Sequence, residues 1–360
     1  MYTSFAVGDA NAVKVWSKAV TVAVREKCEV GRLQGKDDES IIQVKDELEK
    51  GKGDTVKFNL RAVLNGDGFT ENQRGSGNGE SLTYYQDEIK INELGHIASP
   101  TSEHTIDAQR VPFEPRNEGK GALTEWWAKR MSVTFFNQVC GYLPANSAPY
   151  GVKYTGNNAV SAYTSGRRLW ATTSVSADES LGSSDKMTLT AIDRALTLAT
   201  VGDNQMRPVM INGQQKFVLY MHPQQAEDLT TNTSTGQWFS IQQAAMQGGN
   251  ITKSGLYTGA LGEYKGVILR KCQDVTKGVN SSTNAAVSNT RRAVMLGAQA
   301  AVMAYGKKGN PGQQKFRWTE TYEDHGRLFE MGAWAIWGIK KAVFNSTDQG
   351  AMTISTYSAL

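Results

Sequence analysis

The residues best suited to acid–base or metal chemistry are the four histidines, His96, His104, His222 and His325. No two of them have metal-ligand spacing, and no H-E-x-x-H motif occurs. Asp324 beside His325 could form an acid–base pair, but a turn between two strands explains both residues better. His222 precedes Pro223, which favours a capping or structural role. The histidines therefore indicate neither a catalytic nor a metal site.

Other motifs that could carry chemistry are incomplete. The glycine-rich run at 75–79 lacks the G-x-x-x-x-G-K-[ST] pattern and opens no helix, so flexibility explains it better than phosphate binding. No G-x-S-x-G elbow occurs. Glu320, Glu323 and Asp324 fall on an alternating strand, which sends neighbours to opposite faces. We expect surface carboxylates here, no catalytic residues and no cofactor.

The basic residues do not form a repeated pattern. The net charge is only +4, from 39 basic and 35 acidic residues, which is too balanced to predict a dedicated nucleic-acid groove. Three basic doublets are expected to be solvated turns with at most weak contact to phosphate: Arg167-Arg168, Arg291-Arg292 and Lys307-Lys308.

The cysteines and the apolar runs indicate the compartment in which the chain folds. Cys28, Cys140 and Cys272 are odd in number and lack C-x-x-C spacing, which argues against a disulfide scaffold or zinc site and favours a reducing cytoplasm. The N-terminal residues do not resemble a signal peptide. The most apolar runs, at 293–305 and 331–344, are shorter than the roughly 20 residues of a spanning helix. We expect no membrane segment.

The longest predicted element is a helix over residues 118–141, which we call the spine helix. Its apolar stripe recurs at helical spacing through Leu123, Trp127, Met131, Phe135 and Val139. Pro115 suits the approach to a helix, Gly141 suits its exit, and Pro144 follows where a helix can no longer continue. Large aromatic side chains in this stripe require a broad partner surface, and Leu123, Trp127, Met131 and Phe135 are the expected helix core.

A two-stranded ribbon is predicted before the spine helix. Residues 55–60 and 82–91 alternate apolar and polar side chains, and five glycines lie between them at 65–80. An isolated ribbon is marginal in water, so this one requires another surface, and a second subunit is the simplest candidate. A hairpin at the edge of a larger sheet remains the alternative. The residues expected to contact another subunit are Phe69, Asn72, Arg74, Tyr84 and Tyr85.

The remaining chain follows an α+β pattern. Further helices are predicted at 10–27, with Asp9 as cap, and at 187–200, 224–229, 238–248 and 298–305. Strands are predicted at 217–221, 266–269, 293–296, 316–322 and 328–344, with another near Met352 and Ile354. The last two long strands should pair across a turn at 325–326. A solvated helix or a connector is predicted at 31–53, and loops, an insertion or a turn at 150–186, 275–290 and 306–314.

Several short runs occur in an order that carries a family resemblance: GDTVKF at 53–58, WWAKR at 126–130, YMHP at 220–223, GEYKGV at 262–267 and LGAQA at 296–300. Together they resemble the major capsid proteins of tailed bacteriophages, in a podovirus-type subfamily with the Hong-Kong-97-type fold. The resemblance spans roughly residues 53–344. No single motif decides it, because each is short and none is catalytic.

The resemblance implies an α+β Hong-Kong-97-type capsid fold with four parts. Residues 1–52 would form the N-terminal arm and helix, and 53–108 the extended β-hairpin loop. Residues 109–200 and 311–344 would form a peripheral domain with the spine helix and a β-sheet. Residues 201–310 and 345–360 would form an axial α/β domain.

The resemblance also implies a function. The chain would assemble into hexamers and pentamers of an icosahedral head around double-stranded DNA, in a virion built in the host cytoplasm. Implied partners are further copies of the chain, a portal protein, and separate scaffolding and decoration proteins. Residues 150–186 could dock a decoration protein, and no position matches the Lys–Asn crosslink of some relatives. The alternatives are an encapsulin-like compartment shell and a soluble enzyme with an unrecognised site.

Overall fold

A computed structural model of the chain describes residues 29–49, 52–61, 64, 66–77, 79–100, 105–110, 112, 114–142, 158–164, 166–201, 205–211, 213–231, 260–307 and 315–359. Several expectations lie outside these residues, namely the helices at 10–27 and 238–248, the side chains of His104 and Lys308, and Cys28.

The described residues contain four α-helices: α1 (Ile106–Arg110), α2 (Pro115–Val139), α3 (Leu189–Val201) and α4 (Pro223–Thr231). The strands of the same residues are β1 (Gln34–Gly35), β2 (Ile42–Lys45), β3 (Thr55–Arg61), β4 (Tyr84–Lys90), β5 (Asn92–Ala98), β6 (Arg168–Trp170), β7 (Val209–Ile211), β8 (Gln214–Met221), β9 (Ala260–Tyr264), β10 (Val267–Lys271), β11 (Gly278–Val279), β12 (Ala286–Val287), β13 (Thr290–Leu296), β14 (Ala301–Tyr305), β15 (Arg317–Glu323), β16 (Leu328–Lys341), β17 (Val343–Phe344), β18 (Thr347–Asp348) and β19 (Ala351–Tyr357).

A six-stranded sheet is organised around β16. Its order is β1-β2-β14-β16-β15, and β5 also pairs with β16. The predicted antiparallel pairing of the last two long strands is confirmed, with Arg317 opposite Trp334 and Glu323 opposite Leu328. The turn between them places Asp324 and His325 at φ values of 47° and 54°. These two residues therefore form a tight turn, as expected.

Two predictions in this sheet are wrong. The run at 298–305, predicted as a helix, contains β14, which pairs with β2 on one side and β16 on the other. All five residues of β14 are buried, so its apolar run carries no alternation that would mark a strand. The charged segment at 31–53, predicted as a solvated helix or connector, contains β1 and β2, and Ile42 and Val44 are buried.

A seven-stranded sheet forms the second layer. Its order is β6-β19-β13-β8-β10-β9, and β7 pairs with β8. The strands predicted at 217–221, 266–269, 293–296 and near Met352 are confirmed. The helices predicted at 187–200 and 224–229 are also confirmed, as α3 and α4. Successive side chains of β8 lie on opposite faces of this sheet. Tyr220 belongs to the core cluster of the spine helix, whereas Leu219 packs with α3 residues such as Ile192.

The two polar segments predicted as loops contribute to this second layer. Within 150–186, strand β6 pairs in parallel with β19, and Leu169 is buried. Within 275–290, Val275, Thr276 and Val279 are buried, and the exposed residues are 281–285 and 288–289. Each segment thus combines buried residues that pair with the sheet or the core with exposed polar residues, a mixture that composition does not reveal.

The strands of each sheet come from more than one of the parts that the resemblance implies. Strand β6 and helix α3, expected in the peripheral part, lie with the seven-stranded sheet. Strand β14, expected in the axial part, lies in the six-stranded sheet, and so does β5, which was expected in the extended loop. Each sheet therefore draws strands from distant parts of the chain.

The spine helix, α2, joins the two sheets, as its aromatic stripe predicted. Pro115 is its first residue, and Gly141 follows it with a φ of 59°, a backbone conformation that favours glycine. Trp127 donates its Nε1–H to the carbonyl of Ala333 on β16 at 3.2 Å. Further along, the Phe136 ring lies 5.6 Å from Tyr220 on β8. One helix thus packs on both sheets.

Candidate assembly interface

The predicted ribbon is present as β3 and β4. These strands pair in register from Thr55 opposite Lys90 to Arg61 opposite Tyr84. Among the described residues, they pair only with each other. The ribbon is therefore a separate two-stranded sheet and not the edge of a larger one, although β5 follows at once and joins the six-stranded sheet.

The outer part of the ribbon presents apolar side chains to solvent. About half of the surface of each is exposed: Leu64 54%, Phe69 52%, Leu82 49% and Tyr84 55%. Asn72 and Arg74 are also exposed, whereas Tyr85 packs against the ribbon's own basal cluster. Large apolar side chains concentrated on a protruding element are typical of an interaction surface. Leu64 and Leu82 were not predicted, although their apolar character within a polar tip could have indicated them.

The base of the ribbon is packed onto its own subunit. Val56, Phe58 and Ile89 form a buried cluster with residues of β14 and β17. The rings of Phe58 and Phe344 meet edge to face, with centroids 5.5 Å apart. The polar tip thus stays in solvent, as expected, but the base has a core of its own.

The spine helix buries its predicted stripe. Leu123, Trp127, Met131 and Phe135 are at most 3% exposed, and every residue from 131 to 142 is buried. Trp126 lies at the edge of this core, stacked on His96 of β5 with ring centroids 4.3 Å apart. This packing fixes the helix between the sheets.

A buried ionic cluster lies where the spine helix ends. The Asp178 carboxylate contacts Arg292 at 2.7 Å and Arg168 at 2.8 Å, and it accepts the backbone N–H of Val279. Burial alone would raise the pKa of Asp178, but the two guanidinium groups outweigh burial and lower it. Arg292 also donates to the carbonyls of Cys140 and Gly141, which satisfies acceptors at the helix terminus.

The expectation of solvated basic doublets is therefore wrong at two of its positions. Arg167 and Arg292 are 4% and 5% exposed. Burial lowers the pKa of Arg167, while Asp348 opposes that change. Two adjacent basic residues indicate a charged surface only when no buried carboxylate interacts with them. Here the carboxylates are those of Asp348, near Arg167, and Asp178, paired with Arg292, and both lie far away along the chain.

A second buried pair, Lys341 and Asp348, lies beside the first cluster. Their Nζ–Oδ1 distance is 2.7 Å, and each side chain is 1% exposed. Lys341 also donates to the carbonyls of Ser161 and Ala162 and lies 3.8 Å from the Tyr163 ring. Burial lowers the pKa of Lys341, although Asp348 opposes this.

The residues considered for chemistry have structural partners. His222 accepts the N–H of Gln224 through Nδ1, in keeping with a capping role, and burial followed by Arg291 and Lys277 lowers its pKa to about 4. Glu320 pairs with Arg116 at 2.7 Å. Burial raises the pKa of the Cys140 thiol. Within the described ranges, no three His, Cys, Asp or Glu side chains are grouped to hold a metal ion. The described helices include none that is long and apolar enough to span a membrane.

The solved structures that are similar to this chain include phage shells. The capsid of Ralstonia phage GP4 matches with a TM-score of 0.80 and 28% identity, covering 100% of this chain and 99% of that chain. The cyanophage Pam1 capsid matches with a TM-score of 0.67 and 21% identity, covering 91% of both chains. The head of Helicobacter pylori bacteriophage KHP40 matches at 0.63 and 15%, covering 92% and 91%.

Comparison with curated proteins gives no match. The family model described as phage capsid protein, however, matches residues 4–360. Since this match spans the chain, it favours a phage shell over the encapsulin and enzyme alternatives and points to a structural protein of the virion. The resemblance inferred from the motifs is confirmed, and so is the Hong-Kong-97-type α+β fold. The chain belongs to the phage capsid protein family and is a major capsid protein.

Proposed function

We propose that this chain assembles into hexamers and pentamers that close an icosahedral head around double-stranded DNA. The observation that carries the proposal is the ribbon, whose outer part exposes four large apolar side chains while its base is packed onto the subunit. A monomer gains nothing from such an exposed surface, whereas burying the exposed half of each side chain on a neighbour would contribute about 0.8–1.5 kcal/mol. Its role is then mechanical and not enzymatic.

The ribbon is proposed to lie on a neighbouring subunit through Phe69, Asn72, Arg74 and Tyr84. Tyr85 is proposed to act from the base, because it packs on the ribbon's own cluster. The burial of Leu123, Trp127, Met131 and Phe135 supports their role as the spine-helix core. The helix would transmit contact forces between the two sheets.

The domain division is proposed to follow the sheets. The peripheral domain would comprise the spine helix and the six-stranded sheet, and the axial domain the seven-stranded sheet with α3 and α4. Residues 1–52 would include the N-terminal arm, and residues 53–91 would form the extended loop. This division keeps the cluster around α3 within the axial domain, whereas both domains share the cluster of the spine helix, and the basal cluster of the ribbon joins the extended loop to β14 and β17.

Further partners of the assembled shell are proposed from the family. They are a portal protein, separate scaffolding and decoration proteins, and packaged DNA contacted without sequence preference. Assembly would take place in the host cytoplasm. Residues 150–186 are proposed to dock a decoration protein, and the exposed positions of this segment include 172–174 and 182–184.

Deletion of residues 67–79 tests the proposal. Negative-stain microscopy and light scattering of the purified chain should show closed particles or capsomer rings, and the deletion should abolish them while far-ultraviolet circular dichroism stays unchanged. Phe69→Ser should weaken assembly, whereas Phe69→Tyr, which keeps the ring, serves as the matched control. Stable monomers in every sample would contradict a shell subunit. Particles that survive the deletion would contradict the role of the ribbon.

A further inference from the structure

The peptide group of Lys90 lies at the root of the ribbon, where β4 ends and β5 begins. Its N–H donates to Asn158 Oδ1 at 2.8 Å, and its carbonyl accepts from Asn158 Nδ2 at 2.7 Å. The asparagine side chain offers an amide NH2 donor and a carbonyl acceptor side by side, so it substitutes here for the backbone of a neighbouring strand. Asn158 is only 5% exposed, so water does not compete readily for these bonds.

The other side of this root is closed by β16. A Cβ atom on Gly338 would lie 2.1 Å from the Lys90 carbonyl oxygen and 3.2 Å from Asn158 Nδ2. Side chains larger than hydrogen are therefore excluded while the root stays in place. The Lys90 peptide is held between the Gly338 backbone and the Asn158 side chain.

Asn158 is itself fixed to the spine helix. Its carbonyl accepts from Nε2 of Gln138, which is fully buried, at 2.9 Å. The residues that follow continue the attachment: Tyr163 donates to the Val139 carbonyl, and Thr164 donates its N–H to Asp348 at 2.9 Å. Residues 158–164 thus form a strap from the ribbon root to the end of the helix.

A salt bridge also holds the ribbon close to this root, at Asp87 of β4. Lys340, on β16, contacts Asp87 Oδ1 at 2.5 Å and donates to the Glu88 carbonyl at 3.1 Å. The second oxygen of Asp87 accepts the N–H of Val343 at 3.2 Å. Residues 87, 88 and 90 of β4 therefore all bond to residues of the same subunit that lie outside the ribbon.

We propose that Asn158 and Gly338 form a joint that sets the angle at which the ribbon leaves the subunit. The functional consequence rests on the proposed function, in which the ribbon contacts a neighbour. A ribbon already held at its docking angle loses less conformational freedom when it binds, so assembly proceeds from a preorganised subunit. Asn158 is a positioning residue, because it acts through the ribbon and not through contact with the neighbour.

The proposal is tested on unassembled full-length protein by the distance between two spin labels. One label is placed on the ribbon by Ser81→Cys and the other on α3 by Thr197→Cys, with Cys28→Ser to avoid a third label. Ser81 and Thr197 are both exposed. The variants are Asn158→Asp, which replaces the donor facing the Lys90 carbonyl by an acceptor, and Gly338→Ala, which fills the space of the root. Asn59→Asp adds the same charge to an exposed ribbon position and is the control.

Asn158→Asp should broaden the distance distribution and speed exchange of the Lys90 amide hydrogen about five- to thirty-fold. Gly338→Ala should shift the mean distance, and Asn59→Asp should do neither. A folded protein with unchanged distributions in both variants would overturn the proposal, even if exchange became faster, because Asn158 would then only satisfy backbone groups. The measurement needs no assembly. Absence of particles from the wild-type chain would overturn the proposed function without affecting this test.

Discussion

Replacing Lys341 by Met tests how the strap and the two sheets are held together. Methionine keeps an apolar stem of similar length, but Asp348 loses its cation while only 1% exposed. Breaking a buried ion pair by removing one partner costs about 3–5 kcal/mol. Thr164 still donates two hydrogen bonds to Asp348, which limits the loss, whereas the Ser161 and Ala162 carbonyls lose a donor. We expect a loss of about 4 kcal/mol in unfolding free energy.

The double variant Lys341→Met with Asp348→Asn should recover part of this loss. The asparagine can still accept the Thr164 N–H, and no buried charge remains. Because burial lowers the pKa of Lys341 despite Asp348, the pair does not fully offset its own desolvation. Urea unfolding of the four proteins of the cycle, all unassembled, should give a coupling of about 2 kcal/mol.

The pH dependence of the same variant has a definite sign. The folded pKa of Lys341 lies below its ordinary value of 10.5, so in the interval between them the unfolded chain binds more protons. Wild-type stability should therefore rise with pH across that interval relative to Lys341→Met. Tyr163, whose pKa is raised by burial and by Asp348, acts in the opposite direction above pH 10.0. A Lys341→Met protein as stable as wild type, or a coupling near zero, would refute this reasoning.

Three further predictions concern the core and the end of β8 in the seven-stranded sheet. Trp127→Ala, at a fully buried side chain, should lower the unfolding free energy by about 3–5 kcal/mol in urea, and Trp127→Phe should lose less. Gly95→Ala places a Cβ 1.9 Å from the Trp334 ring and should cost about 1–3 kcal/mol by the same measurement, whereas Gly121→Ala, at an open helical site, should not. The lowered pKa of His222, about 4 against 6.5, predicts stability that falls as pH drops through that window. Because His222 is half-buried, screening limits the fall to about 2 kcal/mol, and His222→Gln should remove it from a pH series of unfolding midpoints.

The spine helix and the ribbon could be predicted because each carries its own periodicity. Trp127 and Phe135 recur at helical spacing over a run long enough to exclude a strand, and Pro115 marks its start. The ribbon alternates on both strands and has a glycine-rich tip between them. Neither prediction depended on a distant part of the chain, which is why both held.

The central strands of the six-stranded sheet could not be predicted in the same way. Strand β14 is buried on both faces, so Val302 and Ala304 are as apolar as Ala301 and Met303, and a short apolar run fits a buried helix equally well. Strand β2 has Ile42 and Val44 flanked by charged residues, and their composition suggested a connector. Only the pairing of β2 with β14, far apart in the chain, identifies both as strands.

The buried charges explain why the support of the ribbon was harder to predict than the ribbon itself. The proposed contact residues Phe69 and Tyr84 are apolar side chains beside a polar tip, a contrast that the sequence shows locally. The support depends on Arg292 and Lys341, which resemble surface residues until Asp178 and Asp348 are brought to them by the fold. Since neither charge would be stable if buried alone, each pair requires the fold to bring its partner into place. Arg292 also bonds to the end of the spine helix, and Lys341 bonds to the strap, so these buried contacts are a property of the completed fold.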